Sequence, residues 1–174
     1  MCIRDSFICQ LETPLPVVRH AVALAHAAGV PVLLNPAPAQ ALPEELLAQV
    51  DVLVPNETEA AALVGWPAGQ VFDAAQAAAR LRAMGPGTVL VTLGAKGVHV
   101  ATASIDRHLP APAVSTVVDA TGAGDTFIGA YAVARSEGAD VFAAAAYAQR
   151  AAALSVTRAG ALAGMPRRHE LGSP

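Results

Sequence analysis

Charge is scarce in this 174-residue chain: Asp, Glu, Lys and Arg together make up 14% of it, and the formal net charge is −3. The basic residues are scattered, apart from Arg167 and Arg168 near the end. No dense basic stripe is left to neutralise a phosphate backbone, so a nucleic-acid partner is not expected. Cysteine is nearly absent too. Cys2 and Cys9 show neither metal-ligand spacing nor a disulfide framework, which fits a reducing, cytoplasmic setting. No apolar run reaches the roughly 20 residues that span a bilayer. The N-terminus lacks a charged region followed by an apolar stretch and a cleavage site. Neither a membrane span nor secretion is expected, and no internal repeat is present.

What the chain does have is apolar surface, 54% of its residues, much of it alanine in helical stretches. That composition is far from a disordered one, and the length suits one domain with a real core. Short apolar runs alternate with longer helical stretches, which predicts an α/β fold with a mainly parallel sheet. Strands are expected at 7–11, 30–34, 51–54, 88–93 and 98–102, with two further β segments up to Val118. Helices are expected at 16–28, at 43–49, from Asn56, at 73–84 and from the glycines at 122–124 to about Glu137. A final helix is expected at 141–154. The first clear element is a strand that already feeds a crossover helix, so earlier strands are expected to be missing. Residues 1–6 carry no pattern and read as a non-native or artefactual leader.

The strongest chemical signal runs from Asp119 to Gly129 (DATGAGDTFIG), at a strand-to-helix junction. Backbone N–H groups of Gly122, Ala123 and Gly124 at a helix start are donors without intrahelical partners, and the dipole there favours an anion. Glycine lets the backbone approach a phosphate closely. Asp125 in the first helical turn is placed to take a proton from a nucleophilic hydroxyl. Donors aimed at developing negative charge are each worth on the order of 10²–10³ in rate. A plain glycine-rich helix start, with Asp125 only complementing the dipole, is the competing reading. The run is not a dinucleotide fingerprint, because Phe127 occupies the third glycine position, and no P-loop motif occurs anywhere.

Three weaker blocks accompany it. Asn56 and Glu59 have the spacing of a helix capping box. The stretch from Thr92 to Gly97 reads as a strand end, a tight turn and a new strand. Glu12, near the end of the first strand, would by itself be a solvated terminus. Leu34 to Ala39 is a Pro-rich run (LNPAPA).

Together these blocks resemble the ribokinase-like (PfkB) carbohydrate kinase family, over residues from about Gln10 to Pro166. Ala120 stands where the family signature often has Thr. The resemblance implies a three-layer α/β/α sandwich that lacks its N-terminal strands and lid. Residues 7–166 would form the ATP-binding part of the kinase domain, and 167–174 a tail. It implies Asp125 as catalytic base, with Gly122, Ala123 and Gly124 as the anion hole. ATP would be bordered by Asn56, Thr92, Gly94, Lys96, Gly97, Gly124 and Gln149, the last standing where an Asn is common. Glu59 would help hold Mg²⁺ through water. A monovalent cation, K⁺, would be held by Asp119, Thr121, Ser155, Arg158, Gly160 and Gly164, mainly through carbonyls, with Gly164 where a Ser is often found. Glu12 would contact the sugar.

The implied reaction is ATP-dependent phosphorylation of D-ribose to D-ribose 5-phosphate. The alternatives are another sugar or nucleoside, such as deoxyribose or fructose, and a non-catalytic nucleotide-binding fragment. The family's lid often mediates homodimers. Without the lid and sugar clamp, this chain alone is expected to bind ATP weakly and to turn over poorly.

Overall fold

The computed structural model describes residues 6–174, so Cys2 and the leader, apart from Ser6, lie outside them. The chain divides into two compact units, where its length suggested one domain. The first holds the chain up to Leu93 together with His99–His108, and the second holds Gly94–Val98 and Leu109–Pro174.

In the first unit, β1 (Phe7–Cys9) leads into α1 (Leu15–Ala27), then β2 (Val32–Leu34), α2 (Glu44–Leu47) and β3 (Val52–Leu53). After these come α3 (Glu57–Leu63), α4 (Ala74–Ala83) and β4 (Thr88–Thr92). The strands β5 (Val98–Ala101) and β6 (Asp106–Leu109) complete a six-stranded sheet in the order β1-β2-β3-β4-β5-β6. The first four strands pair in parallel, with Phe7 opposite Val32, Leu34 opposite Leu53, and Leu53 opposite Val89. Each of these pairings needs a crossover connection, which the helices provide. The link from β4 to β5 is too short for a crossover, so the chain reverses there and the sheet is mixed.

The core follows the pattern of side chains. Val18 and Val22 lie four residues apart on the buried face of α1, and Ala77, Ala78 and Leu81 form that of α4. β2 is buried along its whole length, as interior parallel strands are. Fully burying Leu34, Leu53 and Leu81, each 0% exposed, stabilises by about 1.5–3 kcal/mol apiece. Asp51 links β2 to β3: its carboxylate accepts from Val32 N at 2.7 Å, while its own N–H donates to Val32 O at 3.0 Å. β1 is an edge strand with Ile8 partly exposed. Its thiol, Cys9, is partly buried against the core, and burial pushes it up to about 11.

In the second unit a 3-10 turn (Gly94–Lys96) precedes α5 (Ala123–Ser136), α6 (Val141–Ser155), α7 (Ala161–Gly164) and α8 (Arg168–Leu171). α5 and α6 pack on each other, and Phe127, Ile128 and Tyr131 on one and Ala144, Tyr147, Ala148 and Ala151 on the other are buried. Asp140 caps α6 by accepting from Phe142 N and Ala143 N, both at 2.8 Å.

Two expectations need correction. Only one β segment, β6, follows β5, because Pro110 and Pro112 supply no N–H and interrupt any ladder just where a second segment would begin. The helix at 141–155 is not the last, since α7 and α8 follow it.

The segment read as a tail therefore contains a helix. Arg168 forks onto Glu137 with two bonds of 2.6 Å, and Arg158 pairs with both carboxylate oxygens of Glu170. Arg150 and Arg168 also lie over the Tyr147 ring, at 5.3 and 5.6 Å. The Arg158 hydrogen bond, then the Arg167 N–H, lower Glu170 from an ordinary 4.5 to about 2. A depressed acid pKa adds stability that is present above 4.5 and lost as pH falls through about 2. The Arg158 guanidinium is thus expected to stay paired with Glu170 down to about pH 4.5 and to be released between 4.5 and 2, read at its side-chain N–H signals. In Glu170→Gln that pH dependence should vanish, and NMR titration reads both.

Candidate functional site

In the first unit the polar residues gather at the carboxyl ends of the parallel strands, where open α/β sheets bind ligands. Leu11 N donates to Ala37 O at 2.8 Å, which puts Glu12 beside the Pro-rich loop after β2. Asn56 caps α3. Its Oδ1 accepts from Glu59 N at 2.9 Å, and Glu59 Oε2 accepts from Asn56 N at 2.9 Å, so the capping box is complete. Glu59 Oε1 also accepts from Asn56 Nδ2 at 2.7 Å. Thr92, at the end of β4, bridges to Asn56 and donates its N–H to Pro55 O at 2.9 Å.

Burial raises the Glu59 carboxyl above its ordinary value, opposed by hydrogen bonds from Asn56 and Asn35. A carboxylate made costly by desolvation is one that a cation would relieve. Both Glu59 oxygens already accept N–H bonds from Asn56 and Asn35, so the carboxylate suits a small hard cation that keeps its waters and is reached through them. The residues fit Mg²⁺ on that ground, while among the described residues no cluster of three acidic, His or Cys ligands exists.

Two residues at this edge escaped the sequence reading as site members, Asn35 and Gln10. Asn35 is 9% exposed and donates to Val54 O at 2.8 Å and to Glu59 Oε2 at 3.5 Å. Gln10 Nε2 donates to Asn35 Oδ1 at 3.3 Å. The only sequence signal was an Asn at a strand end opening the Pro-rich run.

In the second unit, Gly122 is the N-cap of α5 with φ +76°, a left-handed conformation that favours glycine. A Cβ there would lie 3.1 Å from the Ala161 side chain. Ala123 N donates to Ala120 O at 3.2 Å, a long bond, so this member of the expected trio is engaged. Gly122 N and Gly124 N donate to no backbone acceptor among the described residues. Asp125 is the third residue of α5 and lines a cleft of about 250 Å³ with Thr126, Tyr147, Met165 and Arg168. Tyr147 and Arg168 were not expected there.

Asp119 ties two loops together. Its Oδ1 accepts from Thr121 N and its Oδ2 from Gly160 N, both at 2.9 Å, and the bonds from Thr121 and Gly160 hold the carboxyl below its ordinary value. A Cβ on Gly164 would meet Ser155 O at 3.1 Å and Arg158 O at 3.5 Å. Two carbonyl oxygens therefore converge on the space that glycine leaves open. Neutral carbonyls are the kind of ligand a monovalent cation takes, and Ser155 O here also accepts from Arg158 N at 3.1 Å. The Ser155 hydroxyl bonds back to Ala152 O and the Arg158 side chain to Glu170, so only their carbonyls are candidates.

Lys96 is exposed in the 3-10 turn, and Gly97 is buried with φ +111° against the 109–111 segment. Gln149 is 6% exposed; its Nε2 donates to Leu109 O at 3.3 Å, and its buried Oε1 has no protein partner.

Comparison with known proteins gives this arrangement a family. The model of the pfkB family carbohydrate kinases matches residues 1–168. A ribokinase from Haemophilus influenzae is 43% identical over 166 residues, 95% of this chain and 54% of that protein. A deoxyribokinase from Salmonella typhi is 41% identical over 161 residues, 91% of this chain and 52% of that protein. The solved structure of Arabidopsis thaliana ribokinase complexed with ribose and ATP superposes with a TM-score of 0.88 at 36% identity, covering 94% of this chain and 53% of that one. The chain thus spans about half the length of the curated relatives it matches. Its α/β fold is that of the ribokinase-like neighbours. By its sequence and its fold the chain belongs to the pfkB family of carbohydrate kinases.

Proposed function

We propose that this chain carries the nucleotide-binding and proton-accepting residues of a kinase that phosphorylates D-ribose to D-ribose 5-phosphate with ATP. The observation that carries the reading is the start of α5, where two glycine amides without a backbone acceptor precede an aspartate in the first helical turn. Asp125 takes the proton from the primary hydroxyl of the sugar. The freed oxygen bonds to the γ-phosphorus of ATP, the bond from that phosphorus to the bridging oxygen breaks, and ADP leaves with the electron pair. Gly122 N–H and Gly124 N–H hold the oxygens of the migrating phosphoryl group. Ala123 N–H joins them only by giving up its bond to Ala120 O.

Glu12 orients the sugar. Thr92, Gly94, Lys96, Gly97 and Gln149 border the nucleotide, with Gln149 Oε1 the one buried acceptor of that set still lacking a partner in the protein. Glu59, with Asn56, would hold Mg²⁺ largely through water, and the ion when bound would neutralise phosphate charge. The carbonyls of Ser155 and Arg158, with Asp119, Thr121, Gly160 and Gly164 around them, would take K⁺.

A coupled ADP-release assay tests the reading. It is run on the chain alone and on a fusion that adds the part of the Haemophilus influenzae ribokinase that this chain does not match. The added part brings the sugar clamp, so the fusion tests phosphoryl transfer by this chain's residues. It is expected to convert ribose to ribose 5-phosphate, identified by NMR, and the chain alone to turn over poorly. The 41% identity to a deoxyribokinase favours deoxyribose as a second reading. A substrate panel on a full-length protein that carries this chain separates the two: preference for ribose supports the first, preference for deoxyribose the second. ADP release without a phosphorylated sugar would contradict both.

A further inference from the structure

α7 lies against the start of α5 but has little of its own to hold it there. A Cβ at Gly122 would lie 3.1 Å from the Ala161 side chain, so the first residue of α7 covers the N-cap of α5. Of the four residues of α7 only Gly164 is buried, and Leu162 is 83% exposed. A single helical turn does not hold itself, and this one buries no large apolar side chain. Its position is set by what ties the chain before and after it.

Before α7 the tie is Gly160 N, which donates to Asp119 Oδ2 at 2.9 Å. After α7 the tie is α8. Arg158 reaches past the whole turn and forks onto both oxygens of Glu170, 12 positions along the chain. Glu170 Oε2 also accepts from Arg167 N at 2.7 Å, which fixes the carboxylate to its own helix. The pair joins residue 158 to residue 170 and closes a loop that contains α7. Arg168 anchors that loop to Glu137, the residue that ends α5. An isolated exposed ion pair contributes little, but a two-bond fork within a network is the exception. This one is also partly shielded, its side chains 36% and 25% exposed.

We propose that Glu170 is a positioning residue for phosphoryl binding: through Arg158 it closes the 158–170 loop and holds α7 against Gly122. The inference rests on the reading of the α5 start as the phosphoryl site, and it gives the C-terminal helix a part in that site. Were α8 only a stable end to the chain, Glu170 would matter to α8 alone.

Glu170→Gln keeps the side-chain length and one acceptor oxygen and removes the charge. In the ¹⁵N-labelled variant, amide exchange at Gly160 and Gly164 is expected to quicken and the Gly122 amide shift to move, with Asn56 and Thr92 unchanged. ADP is then titrated with and without aluminium fluoride, both in the presence of Mg²⁺. With the fluoride, which mimics the migrating phosphoryl group, binding is expected to weaken by about 2–30-fold, the range for changes along a packed network. ADP alone is expected to bind as it does to the wild-type chain. Arg158→Gln should do the same, and the double variant should be no worse than either, because each change removes one shared interaction. Should circular dichroism show Glu170→Gln unfolded, Arg158→Lys, which keeps the charge and loses the fork, takes its place.

Unchanged amides at Gly160, Gly164 and Gly122 in the folded variant overturn the proposal. Equal weakening of ADP with and without aluminium fluoride overturns it too, since that marks a general loss of stability, and so do additive losses in the double variant. If the wild-type glycine amides at the start of α5 ignore ADP with aluminium fluoride, the phosphoryl reading falls and takes the proposal with it, a failure distinct from that of Glu170.

Discussion

Asp125→Asn is expected to lower sugar phosphorylation by about 10²–10⁴-fold, the contribution of a positioned general base, while ATP binding stays unchanged. Asn matches Asp in shape and keeps a polar atom at the third position of α5, so the nest formed around Gly122 and Gly124 should survive. What is lost is the ability to accept a proton. The competing role, a carboxylate that merely complements the helix dipole, makes a different forecast. Removing one first-turn charge costs about 0.3–1 kcal/mol at a surface site, which would show as a small change in melting temperature with turnover intact. Steady-state kinetics on the fusion described above, calorimetric ATP titration and a thermal melt separate the two. A large loss of turnover with a small melting shift supports the base, and retained turnover excludes it.

Gly97→Ala is expected to be the most damaging single-methyl change to stability. At φ +111° an L side chain is strained, and the added Cβ would overlap Leu109 O and lie 2.7 Å from Ala111 N and 2.9 Å from Pro110 C. Those are backbone atoms and cannot swing aside as a side chain does. The backbone strain alone is about 1–3 kcal/mol. Relief requires the 109–111 segment to move, and that segment anchors Gln149 through Leu109 O. In a chain of this size each kcal/mol shifts the melting temperature by about 2–4 °C, so a fall on the order of 5–10 °C is expected, together with weaker ATP binding. Gly94→Ala is the internal control. It also has positive φ, at +55°, but nothing lies within 4 Å of its Cβ, and its cost should be only the left-handed penalty of about 1–2 kcal/mol. Equal effects at both positions would contradict the packing argument.

Much of this was legible before any coordinates. The parallel α/β order, the helix start at Asn56 with its capping box and the helix opening after Gly122 follow from local pattern and spacing, which one segment of chain carries alone. Strand ends were less legible. β1 was expected to run to residue 11 but stops at Cys9, because Leu11 N–H turns to Ala37 O instead of a neighbouring strand. β2 was expected from residue 30 but starts at Val32, because Val30 N–H is taken by Ala25 O at the end of α1.

What stayed hidden depends on partners far apart in sequence. Asn35 meets Glu59 across 24 positions, and Arg168 meets Glu137 across 31. A lone Asn at a strand end, or an Arg pair near a terminus, has no periodicity to announce such a partner. The engagement of Ala123 N–H by Ala120 O was hidden for another reason: it depends on the exact turn into α5, which the composition of the glycine run leaves open.

The grip of main-chain donors on a phosphoryl group is open to a direct measurement on this chain. ADP with aluminium fluoride, a mimic of the migrating phosphoryl group, is titrated into ¹⁵N-labelled protein in the presence of Mg²⁺. The largest amide shifts are expected at Gly122 and Gly124, with a smaller one at Ala123. Saturable binding that leaves both glycine amides unmoved would contradict the assignment of the α5 start as the phosphoryl-transfer site.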